Sequence, residues 1–185
     1  MVKIEVKNLF KVFGDSPDSA LELWRKGISK NEIVKRTKQT IGVANASFSV
    51  NEGEIFVVMG LSGSGKSTLL RCLNRLIEPS SGEILLNSKD VAQANDEELR
   101  EIRRHEMAMV FQHFGLLPHR TVISNVAFGL EIQGVPQEKR YPKAKELIKT
   151  VGLDGYENMM TGELSGGMQQ RVGLARALTT DPEIL

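Results

Sequence analysis

Gly60-Leu61-Ser62-Gly63-Ser64-Gly65-Lys66-Ser67-Thr68 sets glycines ahead of a Lys-Ser-Thr ending, and the residues on either side settle how it is read. Before it, Glu54-Ile55-Phe56-Val57-Val58-Met59 is a short apolar, β-branched run of the kind that forms a buried parallel strand. After it, Ser67-Thr68-Leu69-Leu70-Arg71-Cys72-Leu73 reads as a helix. Strand, glycine-rich loop and helix, in that order, are the context in which this loop cradles a polyphosphate. The glycines let the backbone close round an anion, so that consecutive N–H groups point inward as donors. The helix adds its positive dipole end and its unpaired first N–H groups. Lys66 would set a point charge against the outer phosphates, and the Ser67 hydroxyl would ligate Mg²⁺. These residues predict binding of a nucleoside triphosphate.

Composition bounds the rest. With 185 residues, 41% hydrophobic and 25% charged, the chain is ordinary globular material with enough length for one good core. Its 24 basic and 23 acidic residues nearly cancel, to a net charge of +1, so charge offers no argument for nucleic acid or an anionic membrane surface. The single Cys72 excludes an internal disulfide, and its place on the helix after the loop favours packing over chemistry. The sequence contains neither a signal-peptide pattern nor an apolar run of bilayer-spanning length, which reads as cytoplasmic, with any membrane role supplied through a partner. His105, His113 and His119 are not spaced as metal ligands.

The pattern along the chain predicts an α/β core with an antiparallel sheet beside it and a helical excursion in the second half. Val2–Val6 alternates as a strand, and Leu9–Gly14 follows as another. Ser16 is placed to cap a helix with Pro17 at its first position and Gly27 just beyond its end. Ser29-Lys30-Asn31-Glu32 is a capping-box pattern for a second short helix. Leu21, Trp24 and Ile28 would form the apolar face of this pair. Ala46–Val50 and Gly82–Leu86 read as strands, Asp96–Arg104 as a capped helix, and Met107–Phe111 as a second buried strand ending at Gln112. From Val122 to Met160 the pattern is mainly helical, punctuated by Gly134, Pro136 and Pro142. Internal repeats and low-complexity tracts are absent from the sequence.

A second anion-binding pattern occurs at Glu163-Leu164-Ser165-Gly166-Gly167-Met168-Gln169-Gln170-Arg171, ahead of the helical stretch Val172–Leu178. Ser165 is placed as an N-cap, and the two glycines behind it allow close backbone approach. On its own this describes only a capped helix. With the phosphate loop upstream and Gln112 between them, it forms a specific set.

In this set and order the chain resembles the ATP-binding subunit of an ABC transporter over essentially its whole length. Met59–Thr68, Leu73–Pro79, Pro118-His119, Leu164–Leu178 and the helical insertion after Phe13 are similar to the glycine betaine/proline betaine (quaternary amine) importer branch. Methionine or amino-acid importer ATPases are the nearest alternative. The resemblance implies a P-loop ATPase fold in which residues 1–185 form the N-terminal part of the nucleotide-binding domain. Its helical insertion would span about 16–39, and its helical subdomain about 113–165. It further implies that two subunits pair head to tail, with ATP between the P-loop of one and Ser165-Gly166-Gly167 of the other. Phe13 would stack on adenine, with Phe10 the competing aromatic. Gln112 would complete the Mg²⁺ shell and sense the γ-phosphate, and His113–Pro118 would face the membrane permease subunits. A substrate-binding protein would complete a complex peripheral to the cytoplasmic face of the membrane. The family's usual fifth signature residue is Gln, where this chain has Met168.

In the resembled family, the strand beginning near Ile184-Leu185 carries the Mg²⁺-associated aspartate and the water-polarising glutamate, and the switch histidine lies beyond. None of these falls within residues 1–185. The expectation is that this chain alone binds ATP without hydrolysing it, since phosphoryl transfer needs a positioned water and neutralised charge. Unpaired sheet edges would also make it unstable alone. An alternative is a non-catalytic module whose ATP binding drives association. A soluble ABC ATPase acting on DNA or ribosomes would require a coiled-coil insertion or tandem nucleotide domains, and the sequence has neither.

Overall fold

A computed structural model describes residues 1–185, which divide into two compact units, Met1–Asn95 and Asp96–Leu185. The first unit is built on a four-stranded antiparallel sheet of order β2-β1-β3-β4. Its strands are β1 (Val2–Phe13), β2 (Thr40–Asn51), β3 (Ser81–Leu86) and β4 (Lys89–Asp90). The two N-terminal strands expected from the sequence are one strand. Asn8, at φ +47°, breaks the alternation between them without ending the pairing, so that Ile4 and Val6 and then Leu9 all fall on the buried side. Asparagine tolerates this left-handed conformation better than most residues.

Helices α1 (Pro17–Arg25) and α2 (Lys30–Thr37) lie between β1 and β2. Val12, Ala20, Leu21, Ile33 and Ile41 form their buried cluster, with Trp24 and Ile28 packed against it and Phe10 edge-on to Trp24. The expected caps form only in part. Ser16 precedes α1 without a side-chain cap bond, and its N–H donates instead to Gln39 Oε1. Ser29 Oγ accepts from the Glu32 N–H, but the Glu32 carboxylate is drawn to Arg36 one turn on, so only half of the box is made.

The strand expected at Glu54–Met59 does not form. Ile55 and Met59 are 89% and 87% exposed, and the segment carries no ladder. An apolar run becomes a strand only when a neighbour supplies hydrogen bonds, and no strand of the first unit pairs with it. Its one aromatic anchor is Phe56, stacked on Phe48 with centroids 4.8 Å apart. Helix α3 (Lys66–Leu73) follows the loop.

The second unit opens with α4 (Asp96–Glu101), which runs on into a π-helical turn, Ile102–Glu106. Met107–Phe111, expected as a strand, makes a single parallel bridge, Met107 to Ile184. Two backbone bonds support it: Ala108 N–H to Ile184 O at 2.9 Å and Ile184 N–H to Glu106 O at 3.0 Å. Helices α5 (Val122–Val126), α6 (Phe128–Ile132), α7 (Gln137–Thr150) and α8 (Gly166–Leu178) enclose Val122, Ile123, Val126, Ala144, Ile148, Leu153, Leu164, Val172 and Ala175. Pro142 does not interrupt α7. It stands on the exposed face, as does Glu138 one turn earlier, whose carbonyl would otherwise take the missing N–H. No helix is long and apolar enough to cross a membrane.

Candidate functional site

Residues Gly60–Gly65 wrap as a turn in which Gly63 and Gly65 hold φ of +77° and +96°. Gly65 is the tightest position: an added Cβ would stand 2.1 Å from the Gly42 carbonyl oxygen, in a conformation L-residues already resist. Helix α3 then opens on Gly65 with no side-chain cap and no acidic residue in its first turn. Its leading N–H groups and positive dipole end therefore remain open to an anion. Lys66 Nζ donates to the carbonyls of Gly60 at 2.8 Å and Leu61 at 2.7 Å, with Ser64 Oγ at 3.5 Å. A cation satisfied only by neutral carbonyls of its own loop can exchange them for the stronger acceptors of a phosphate. Leu61, Ser62 and Ser67 are exposed, and Thr68 is half-buried beside Gly42.

Phe13 ends β1 and is 41% exposed. Lys11 Nζ lies over the ring, 5.2 Å from its centroid. Phe10, the competing aromatic, packs into the α1–α2 cluster, so Phe13 is the ring with free area for a base. Cys72, on α3, is buried, and burial pushes its thiol up to about 11 against the lowering influence of Lys11. That keeps it a packing thiol rather than a nucleophile.

In the second unit, Ser165 is the N-cap of α8, its Oγ accepting from the Met168 N–H at 3.3 Å. Gly166 and Gly167 are exposed beside it, with open space where a Cβ would project. Met168 packs against the helical core. Gln169 instead uses its amide internally, donating to the carbonyls of Thr161 and Leu164. Gln112 is exposed, one residue before the corner His113–Gly115, in which Phe114 and Gly115 hold φ of +59° and +55°.

Reading the sequence missed two groups that hold this region. Arg176, on α8, donates to the carbonyls of Phe114 and Gly115, both at 2.7 Å. Burial holds its guanidinium below the ordinary arginine range. Asn125, fully buried, accepts from the Leu117 N–H at 2.8 Å. Its amide donates to the carbonyls of Leu117, Arg120 and Thr121, each at 3.1 Å. A polar residue at a core-facing helical position, four residues into a Thr-capped turn, was the available signal for Asn125. Glu131 takes a two-pronged pair from Arg120, at 2.9 and 3.1 Å, and a further bond from Arg140 at 3.2 Å. The histidines make no metal cluster. A cavity of about 360 Å³ lined by Arg100, Arg103, Arg104, Gly129, Ile132 and Thr180 contains none of the site residues expected from the sequence.

Comparison with known proteins gives a consistent result. A family model described as ABC transporter matches residues 43–185. The glycine betaine/proline betaine transport system ATP-binding protein ProV of Salmonella typhimurium is 53% identical over 184 residues, covering 100% of this chain and 46% of ProV. The glycine betaine/carnitine transport ATP-binding protein GbuA of Listeria monocytogenes is 58% identical over 185 residues, covering 100% of this chain and 47% of GbuA. The chain thus spans about half the length of the curated relatives it matches. Among solved structures, a dimeric bacterial ABC transporter cassette superposes with a TM-score of 0.81 at 32% identity, over 97% of this chain and 70% of that one.

Proposed function

This chain belongs to the ABC transporter family, and from that membership we propose that it is the ATP-binding part of an importer for glycine betaine, proline betaine or a similar quaternary amine. The observation that carries the nucleotide reading is the Gly60–Lys66 loop, with its folded-back ammonium and uncapped helix start. The substrate class is supported by its similarity to ProV and GbuA, ATP-binding proteins of betaine transport.

In this reading the triphosphate lies in the Gly60–Thr68 loop and the adenine on Phe13. Lys66 needs only to release the Gly60 and Leu61 carbonyls to meet the outer phosphates. The Ser67 hydroxyl is a hard donor suited to Mg²⁺, which when bound supplies neutralising charge at the phosphates; the exposed Gln112 side-chain oxygen of the second unit is a donor of the same kind. Ser165, Gly166 and Gly167 would contact the nucleotide of a second subunit, paired head to tail. The dimeric state of the related cassette supports pairing of two subunits. His113–Pro118 would meet the permease subunits of a complex that includes a substrate-binding protein, at the cytoplasmic face of the membrane. In this reading the groups of residues 1–185 hold the nucleotide, and none of their carboxylates activates water.

Binding and turnover of Mg-ATP, measured side by side, test this reading. The chain should bind without turnover. Lys66→Ala should weaken binding roughly 10- to 100-fold, the equivalent of losing one charged hydrogen bond. Extension of the chain to the length of its relatives should bring turnover. Hydrolysis by the 185 residues alone, abolished by Lys66→Ala, would refute the binding-only role. Equal binding by wild type and variant would refute the site.

A further inference from the structure

Gly42 is the third residue of β2, between two buried β-branched residues, Ile41 and Val43. A third such residue would suit that position by strand preference. Its φ is not left-handed, so backbone conformation does not demand glycine there. The pairing shows what else happens at this residue. Lys11 pairs with Val43, whereas the next residue, Val12, pairs with Ile41, which leaves Gly42 as the extra residue of a β-bulge. Bulges re-aim the side chains around them and recur beside functional sites.

The space around Gly42 indicates what the bulge aims. A Cβ here would stand 2.7 Å from Phe13 Cε2, 3.3 Å from Phe13 Cδ2 and 3.4 Å from Thr68 Cγ2. On its other side, the Gly42 carbonyl fills the place a Gly65 side chain would need, at 2.1 Å. One backbone unit therefore touches the aromatic ring, the first turn of α3 and the last glycine of the phosphate loop.

We propose that Gly42 is a positioning residue for the nucleotide base. By giving up its side chain within a bulge, it lets the Phe13 ring lean in beside Thr68 and the end of the phosphate loop. The inference rests on the reading of Phe13 as the stacking ring. Gly42 itself makes no claim on the ligand; it acts through the ring. Its effect belongs to ligands that carry a base and is absent for those that do not.

The test is a double-mutant cycle on the full chain, measuring dissociation constants for ATP and for inorganic tripolyphosphate. Phe13→Ala should weaken ATP roughly 5- to 150-fold, the range for losing one base–aromatic stack. It should leave tripolyphosphate unchanged. Gly42→Ala should weaken ATP by at least roughly fivefold, again with tripolyphosphate unchanged. In the Phe13→Ala background, Gly42→Ala should add nothing, because the atoms it strikes are gone. Equal weakening of both ligands by Gly42→Ala would overturn the inference, because the glycine would then act through Gly65 and the phosphate loop. Unchanged ATP binding in Gly42→Ala would also overturn it. Unchanged ATP binding in Phe13→Ala would instead remove the stacking reading, and the inference with it. If Gly42→Ala alone misfolds, the double variant should regain the wild-type circular dichroism spectrum; its failure to do so would show that the clash is not with Phe13.

Discussion

Replacing Asn125 with alanine should cost the second unit about 3 kcal/mol, and the geometry says which groups supply that figure. The side chain is fully buried and meets four backbone groups: the Leu117 N–H and the carbonyls of Leu117, Arg120 and Thr121. Two of these keep another partner after truncation. The Leu117 carbonyl still accepts from the Arg120 N–H at 3.2 Å, and the Thr121 carbonyl from the Asn125 N–H at 2.9 Å. The Leu117 N–H and the Arg120 carbonyl lose the bonds the side chain gave them. A buried polar group left so costs about 1–3 kcal/mol, and two of them, partly reached by water, come to about 3 kcal/mol. Asn125→Asp keeps the acceptor for Leu117 but turns an oxygen toward three carbonyls, so at neutral pH it should be worse than alanine. Urea unfolding followed by circular dichroism gives the loss as a shifted midpoint at unchanged slope. Hydrogen exchange at the Leu117 amide gives it locally. A loss under about 1 kcal/mol for Asn125→Ala, or a Leu117 amide still protected, would refute the reasoning.

Two other outcomes follow from the same kind of geometry. Gly65→Ala drives a Cβ into the Gly42 carbonyl at φ +96°; it should abolish binding of tripolyphosphate as well as of ATP, which distinguishes it in a titration from any variant acting on the base. Glu131 sits beside Arg120 and Arg140, and the Arg120 hydrogen bond, then the two charges, hold its carboxyl below the usual glutamate range. A lowered folded value stabilises above the unfolded value, and that contribution is lost as pH falls through the folded one. Glu131→Gln should therefore flatten the stability profile below about pH 4.5, the unfolded reference, and urea midpoints across the acid range would show it.

What the sequence made legible was what neighbouring residues decide among themselves. Gly60–Gly65 forms a tight turn because the conformational freedom of Gly63 and Gly65 builds it, and Ser165 caps α8 because its hydroxyl needs only the amide three residues on. The run Glu54–Met59 has a strand's composition, but pairing depends on a partner that local pattern does not contain. Arg176 was illegible for the same reason, since the carbonyls it binds belong to a loop whose path is set by packing; Asn125 showed only as a polar residue at a core-facing position, without its partners. Gly42 is the intermediate case. A lone glycine within a strand is a recognised sign of a bulge or a close approach, but the strand read from the sequence starts only at Ala46, and it takes the pairing register to show the bulge and the packing to show the ring beside it.

The arginine near the far end of α8 gives that helix a mechanical character. From Ser165 to Arg176 the helix rises about 16 Å, and at its far end two short bonds fasten it to the corner made by Phe114 and Gly115. A straight helix scarcely stretches, so it behaves as a tie rod. When the capped serine end is pulled or tilted, the corner must travel with it or give up both bonds at once. Displacement at the Ser165 end thus arrives, with little loss, at the Phe114–Gly115 corner.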